Sequence, residues 1–296
     1  MKKSGYRLTL LDVILLLALA AAGGYLVYRI RIGLNYSWNW AAIPQFLVRF
    51  DAESASWVPN VLLQGLLTTI RLSFWATVLA TIIGVVMGMF RVSPVIFRRM
   101  VARSYVELTR NMPPLVLVFI FYYFISAQML PVLGIEGFVR SASEETRSLI
   151  AALFAPARLL SPFLAGLAAL ALFEGAYITE IVRAGIQSIG RGQWEAASAL
   201  GFTRGQALRH IILPRAIRRI LPPLAGQFIS TIKDSAIVSV ISIQELTFQG
   251  MELMAATFLT FEVWITILAI YFVICLACSL LVERFELHLK KETRPA

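Results

Sequence analysis

The residue types that most often carry out nucleophilic, metal and phosphate chemistry are scarce here: five lysines, two histidines and two cysteines in 296 residues. None of the lysines follows a glycine, so there is no Gly-x-x-x-x-Gly-Lys-Ser/Thr loop to cradle phosphates, and an ATP site of that type is excluded from this chain. Gly-x-Ser-x-Gly and His-Glu-x-x-His are also absent, and no grouping of Asp, His and Cys suits catalysis, so the chain does not read as an enzyme. Cys275 and Cys278 have a redox-like or metal-like spacing, but no further Cys and no nearby His completes a site. They read as two buried thiols on one helix face, and no metal or other cofactor is expected on this chain. His210 and His288 are isolated and read as interfacial or solvated. Charge is sparse as well: 15% of residues are charged and 58% are hydrophobic, and the mean hydropathy is +0.76. No soluble domain of this size can hide so much apolar surface.

What is present is apolar and recurs along the chain. Six runs, residues 8–28, 58–90, 101–129, 159–187, 214–243 and 258–284, are long enough to span a bilayer as helix, which takes roughly 20 residues. The alternating ten-residue strands of a barrel are missing, so the expectation is an all-α integral membrane protein with about six transmembrane helices. The first run, opened by Lys2 and Lys3, has a signal-peptide look at Ala20–Ala22 but continues to Tyr28, and is read as a retained helix. The net charge of +10 is spread rather than gathered. Seventeen of the 27 Lys and Arg fall at the two ends and in alternate loops (Lys2–Arg7, Arg91–Arg103, Arg191–Arg219, Arg284–Arg294), against six in the opposite loops. This positive-inside asymmetry places both termini in the cytoplasm and makes the lipid bilayer, not nucleic acid, the partner. Three divisions follow: 1–57, a first transmembrane helix and an outer segment rich in tryptophan (Trp38, Trp40, Trp57); 58–284, the main transmembrane domain; and 285–296, a cytoplasmic tail. Residues 130–158 read as an outer loop with a short helix.

The longest polar interruption in the second half is the inner loop at about 190–214. Glu195, Ala196 and Ala197 favour helix, with an acid in the first turn to suit the helix dipole. Gly201 can take a positive φ and end that helix. Gln206 to Ile212 reads as a second short helix closed by Leu213-Pro214. The small faces of Ala196 and Ala197 would let another protein approach closely. A solvated basic loop would explain the arginines but not this order of helix, glycine, helix and proline.

Glu195-Ala196-Ala197, three residues, Gly201, nine residues, then Ile211-x-Leu213-Pro214 resembles the cytoplasmic loop signature of ABC-importer permeases. The resemblance covers about residues 58–284. It continues through Glu107, Arg110, Pro113 and the aromatic run Phe119–Phe124, through Gly175-Ala176-Tyr177 with Glu180 and Arg183, and through Leu221-Pro222-Pro223 and Lys233-Asp234-Ser235. It points to the permeases of polar amino-acid uptake, of the histidine, glutamine, glutamate and arginine type. It implies the type I importer permease fold in a bacterial inner membrane. The loop would be a coupling helix that docks into a groove on a separate ATPase subunit, where ATP and Mg would bind. A second permease subunit, identical or paralogous, and an extracytoplasmic solute-binding protein are implied as further partners. Asn111-Met112 and Ser235-Ala236-Ile237 depart from the usual pattern of the family.

Ionisable groups at membrane depth are costly and mark function by default. Glu180 and Arg183, and likewise Glu107 and Arg110, stand at i, i+3 and read as structural ion pairs. Lys233 and Asp234 follow the prolines of an irregular fifth span, where transporters expose polar backbone to solute. Glu174 and Tyr177 lie one turn apart and offer a carboxylate and an aromatic face to an ammonium group; the competing reading has Glu174 cap a neighbouring helix or meet another subunit. These four are the candidates for the substrate path. A stand-alone secondary transporter or channel, driven through Asp234, Lys233 and Glu174, is the alternative from another class.

Overall fold

The computed structural model describes residues 9–33, 36–52 and 55–292. Lys2, Lys3, Arg7 and Arg294, counted above among the inner charges, lie outside the described residues, as does the side chain of His288. Two compact units are present, Met1–Trp40 and Ala41–Ala296. The first is α1 (Leu10–Gly33), whose start is fixed by a reciprocal cap: the Thr9 N–H and hydroxyl both donate to Asp12 at 2.8 Å, and the Asp12 N–H returns to Thr9 Oγ1. The apolar stretch described within it is Leu10–Tyr25. Among the described residues five helices are long and apolar enough to cross a membrane, and they fall in five of the six expected runs.

The second unit opens with α2 (Ile43–Leu47) and an antiparallel hairpin, β1 (Val48–Asp51) with β2 (Ser56–Pro59), in which Arg49 faces Val58 and Phe50 faces Trp57. The hairpin is a single pair of four-residue strands in a fold that is otherwise helical, as expected. Ile43 is buried with Leu62, Leu246, Val263 and Ile267, so residues 41–57 belong with the bundle rather than with the first helix. Then follow α3 (Val61–Arg91), α4 (Ile96–Arg110), α5 (Pro114–Phe124), and a π turn over Ile125–Met129 that leads into α6 (Leu130–Val132). Where one short loop helix was expected there are two, α7 (Ile135–Ser141) and α8 (Glu144–Leu153), and α9 (Ala157–Gln187) returns across the bundle. The loop holds α10 (Arg191–Ala199) and α11 (Arg204–Ala207). Last come α12 (Leu213–Asp234), a 3-10 turn over Ser235–Ile241, α13 (Leu246–Thr257) and α14 (Thr260–Glu292).

The expected run 101–129 is two elements. α4 ends at Arg110 and α5 starts at Pro114, because Pro113 and Pro114 cannot donate the hydrogen bonds that would carry a helix through. The fifth span departs in the opposite sense. Its helix runs unbroken through Pro222 and Pro223, and the irregularity lies beyond Lys233 and Asp234, in the 3-10 turn that ends at Ser242 with φ +61°.

α9 is the central post. Most of its apolar window is buried, whereas α14 buries almost none, and Leu268, Phe272 and Leu276 stand exposed as lipid-facing side chains do. Small residues explain the close pairing of α9 with α3. A Cβ at Gly84 would stand 2.4 Å from Ile178 Cγ2, and one at Gly88 would stand 2.6 Å from Val182. The Gly84-x-x-x-Gly88 stripe thus receives the branched ridge of α9, a packing that holds helices together where lipid supplies no hydrophobic drive. At about 1.5 Å per residue, the 31 residues of α9 cover roughly 46 Å, enough to cross the hydrocarbon and reach beyond it.

Candidate functional site

The loop is built from local rules. α10 starts at Arg191 on Gly190, four residues before Glu195, so Glu195 sits in the body of the helix and not in its first turn. Its end is a Schellman cap: Gly201 at φ +80° sends its N–H to Ser198 O at 3.0 Å, and the Phe202 N–H reaches Ala197 O at 3.1 Å. Thr203 then opens α11 with a capping box to Gln206. The second short helix does not close at Leu213-Pro214. Pro214 has no N–H for the carbonyl one turn back, and the chain accommodates this with a π turn over Leu208–Ile212 that runs directly into α12.

Glu195 and Ala196 are exposed, as are Ser198, Ala199 and Leu200. Ala197 is not: it is 1% exposed, turned inward beneath its own loop, so only the first of the two alanines offers a surface to a partner. Ile212 joins the buried cluster of Ile178, Val182, Ala216 and Ile220, with Ile211 and Leu213 packed against it, while Pro214 stays exposed. Arg204 lies over the Trp194 ring at 5.8 Å. Beside them, Trp194, Ser198, Phe202 and Ala207 line a groove of about 440 Å³. Two arginines of α12 fasten the loop to the end of α9. Arg219 donates to Ser188 O at 2.6 Å, and Arg215 donates to the Gln193 amide oxygen.

The intramembrane charges fall into separate groups. Glu180 bridges two arginines, Arg183 at 2.7 Å and Arg91 of α3 at 2.9 Å. Arg91 is the member that sequence spacing could not supply. Glu107 and Arg110 do not pair among the described ion pairs: Glu107 faces Arg103 at 3.9 Å and accepts from the Asn111 amide at 3.1 Å, while Arg110 lies over the Tyr177 ring at 5.3 Å. The two side chains leave α4 in different directions, and the aromatic face on α9 takes the guanidinium. Glu174 is fully buried and accepts from Gln227 Nε2 of α12 at 2.6 Å. The Asp234 carboxyl and the Thr231 hydroxyl approach the same carboxylate. Glu174 Oε1 has no hydrogen-bond partner among the described residues. Lys233, next in sequence to Asp234, is exposed and lies toward Cys275 of α14. Of the four path candidates, Glu174 and Asp234 therefore meet, Tyr177 is engaged by Arg110, and Lys233 stands apart. Cys275 and Cys278 are free thiols, half-buried rather than buried.

A further cluster lies at the head of α13. The Glu245 carboxylate accepts the N–H groups of Thr247 and Phe248 at 2.9 and 2.7 Å, the Tyr271 hydroxyl at 3.0 Å and the Thr69 hydroxyl at 3.4 Å. Burial pushes this carboxyl above the usual range, against the pull of those donors. Glutamate is not among the favoured N-caps, and its partners on α3 and α14 are remote in sequence, so spacing rules could not find this cluster.

Residues 80–291 match the family model described as "Binding-protein-dependent transport system inner membrane component". The chain is 32% identical over 232 residues to the "Probable glutamine ABC transporter permease protein GlnM" of Bacillus subtilis, covering 78% of this chain and 94% of that protein. It is 32% identical over 221 residues to the "Glutamate/aspartate import permease protein GltJ" of Escherichia coli K12, covering 75% and 82%. Among solved structures, "Crystal structure of an amino acid ABC transporter with histidines" superposes with a TM-score of 0.61 at 36% identity, covering 77% of this chain and 94% of that one. An inward-facing methionine ABC transporter shares the fold at 16% identity, with a TM-score of 0.56 over 77% and 96%. With the family model covering most of its length and the bundle geometry agreeing, the chain belongs to the inner-membrane permease components of binding-protein-dependent ABC transport systems.

Proposed function

We propose that this permease carries a polar or charged amino acid across a bacterial inner membrane, with α10 as the element that receives force from a separate ATPase subunit. The observation that carries the coupling role is the presentation of α10: a capped two-turn helix with Glu195, Ala196, Ala199 and Leu200 facing outward, fastened from beneath through Ala197, Arg215 and Arg219. Such a helix transmits displacement, because its attachments join it to α9 and α12 together. Glu195 and Ala196 form the docking face, Gly201 fixes where the helix stops, and Ile211, Leu213 and Pro214 set how the loop enters α12. ATP and Mg bind on the partner. Two permeases pair around the path, a solute-binding protein delivers at the opposite end, and both termini lie in the cytoplasm.

Within the path, Glu174 is the group suited to a solute ammonium: it is buried, held by Gln227 and carries an oxygen with no described partner. Asp234 supplies a second carboxylate beside it. The amino-acid class agrees with what the similar permeases are named for, glutamine and glutamate/aspartate.

The test of the coupling role uses single cysteines. Ala196→Cys is expected to cross-link to the co-expressed ATPase subunit, with the yield changing on nucleotide binding. Ala197→Cys, placed at the buried position, is expected to give little product. Equal yields at the two positions, or none at Ala196, defeat the assignment of α10 as the docking element.

A further inference from the structure

We propose that the cleft at the end of the bundle remote from α10 is a binding site for a carboxylate-bearing polar solute, a loading station separate from the Glu174 group. The inference rests on the amino-acid reading above and adds where and how such a solute is first held.

The cleft has a volume of about 260 Å³ and lies where the first turns of α9, the first half of α3 and the turn at Ser242–Gln244 come together. At about 30 Å³ per water it holds roughly nine waters, or one solute with about as many heavy atoms. Its polar lining includes Arg71, Arg158, Gln64, Thr68, Gln244 and Gln249, and no Asp or Glu is among the residues that line it. The two guanidiniums give it a positive field, and each presents the planar fork that binds a carboxylate with two parallel hydrogen bonds. Arg71 spends one N–H on Ala151 O at 3.2 Å, which steadies the side chain and leaves its remaining donors. Arg158 is exposed at the rim. The glutamine amides can both donate and accept, which suits an amide or a second carboxylate at the far end of a solute. Phe163 and Leu67 supply an apolar floor for a short methylene chain.

Two features shape the cleft. Ser242 sits at φ +61°, a conformation an L residue adopts at a cost, and it turns the chain over the cavity before α13 begins. Glu245, the nearest carboxylate in sequence, is drawn away from the cleft by the α13 N–H groups and Tyr271, so it does not neutralise the arginines. From Pro162 at the cleft to Glu174 is 12 residues, about 18 Å along α9, so the two groups are distinct stations on one helix.

The experiment uses the full permease with its ATPase subunits in lipid nanodiscs, without the binding protein, and measures binding of radiolabelled L-glutamate, L-glutamine and L-arginine. The expected result is binding of glutamate and glutamine ahead of arginine. Arg158→Ala is expected to weaken it by at least about tenfold, the scale of one charge-assisted hydrogen-bond pair. Arg158→Lys should recover part of the loss, and Gln244→Leu should weaken binding at an unchanged melting temperature. Glu174→Gln is expected to leave this binding within about twofold. Retention of wild-type affinity in both Arg158→Ala and Gln244→Leu overturns the proposal, as does absence of binding of all three probes. Loss in Glu174→Gln but not in Arg158→Ala also overturns it, while leaving the path reading intact. Loss in Arg158→Ala together with unaltered transport in Glu174→Gln supports the cleft and removes the path reading.

Discussion

Gly201 is where the loop can be tested most sharply. Its φ of +80° lies in the left-handed region, and no atom stands within 4 Å of where a Cβ would be placed. Substitution therefore meets no clash, and its whole cost is backbone strain. For an L residue this is about 1–2 kcal/mol, and a β-branched side chain suits the region worst. Gly201→Val is thus expected to shift the ratio of capped to uncapped loop by about 5–30-fold. Uncapping releases the N–H groups of Gly201 and Phe202 from Ser198 and Ala197. Gly201→Asn, a residue that tolerates this conformation, is expected to be mild. Gly205→Ala, in the helical α11 with equally open surroundings, should be neutral or stabilising by up to about 1 kcal/mol. Amide hydrogen exchange over residues 198–202, co-purification of the ATPase and transport in proteoliposomes should rank the variants in the order Gly205→Ala, Gly201→Asn, Gly201→Val. If Val and Asn at 201 cannot be told apart, or if exchange is unchanged while coupling is lost, the cap is not what shapes this loop.

Other outcomes follow from the packing. Gly84→Ala drives a methyl to 2.4 Å from Ile178 Cγ2 and is expected to destabilise by about 1–3 kcal/mol; thermal unfolding in detergent should show recovery in the Gly84→Ala/Ile178→Ala double variant. Glu180→Gln strands two part-buried arginines and should cost about 1–3 kcal/mol, whereas Glu107→Gln, at an exposed 3.9 Å pair, should stay within about 0.5 kcal/mol. Glu245→Ala removes both an N-cap and the acceptor for Tyr271. It should cost about 2 kcal/mol or more and speed exchange at the start of α13; protection equal to wild type would refute the capping role.

What was legible in the sequence was local. The Gly201 stop is written in adjacent residues and the structure gives it a hydrogen-bond reason, whereas the second short helix, expected over Gln206–Ile212, starts on Thr203 and runs on through a π turn into α12. Hydropathy located the bundle but ran straight through Asn111–Pro114, since a window average does not register two missing N–H groups. Spacing rules found Glu180 with Arg183 because both lie on one helix. They proposed Glu107 with Arg110 on the same grounds, without knowledge of the Tyr177 ring on another helix. Arg91, Gln227 and Tyr271 were out of reach for a single reason: each meets its carboxylate from a different element, 89, 53 and 26 residues away. The hairpin around Phe50 and Trp57 was hidden because Trp57 fits a membrane interface equally well.

Arg219 holds the end of α9 and Arg215 holds α10, so α9, α10 and α12 meet at one elbow. On the proposed coupling role, a shove on that elbow would reach both arms. Glu174 on the first arm and Gln227 on the second are then the places, a few turns up, where a swing of the joint becomes a shear between neighbouring rods. On the coupling role proposed above, the pair would act as the jaws of a crank-driven clamp, whose handle is the exposed rim of a nine-residue helix.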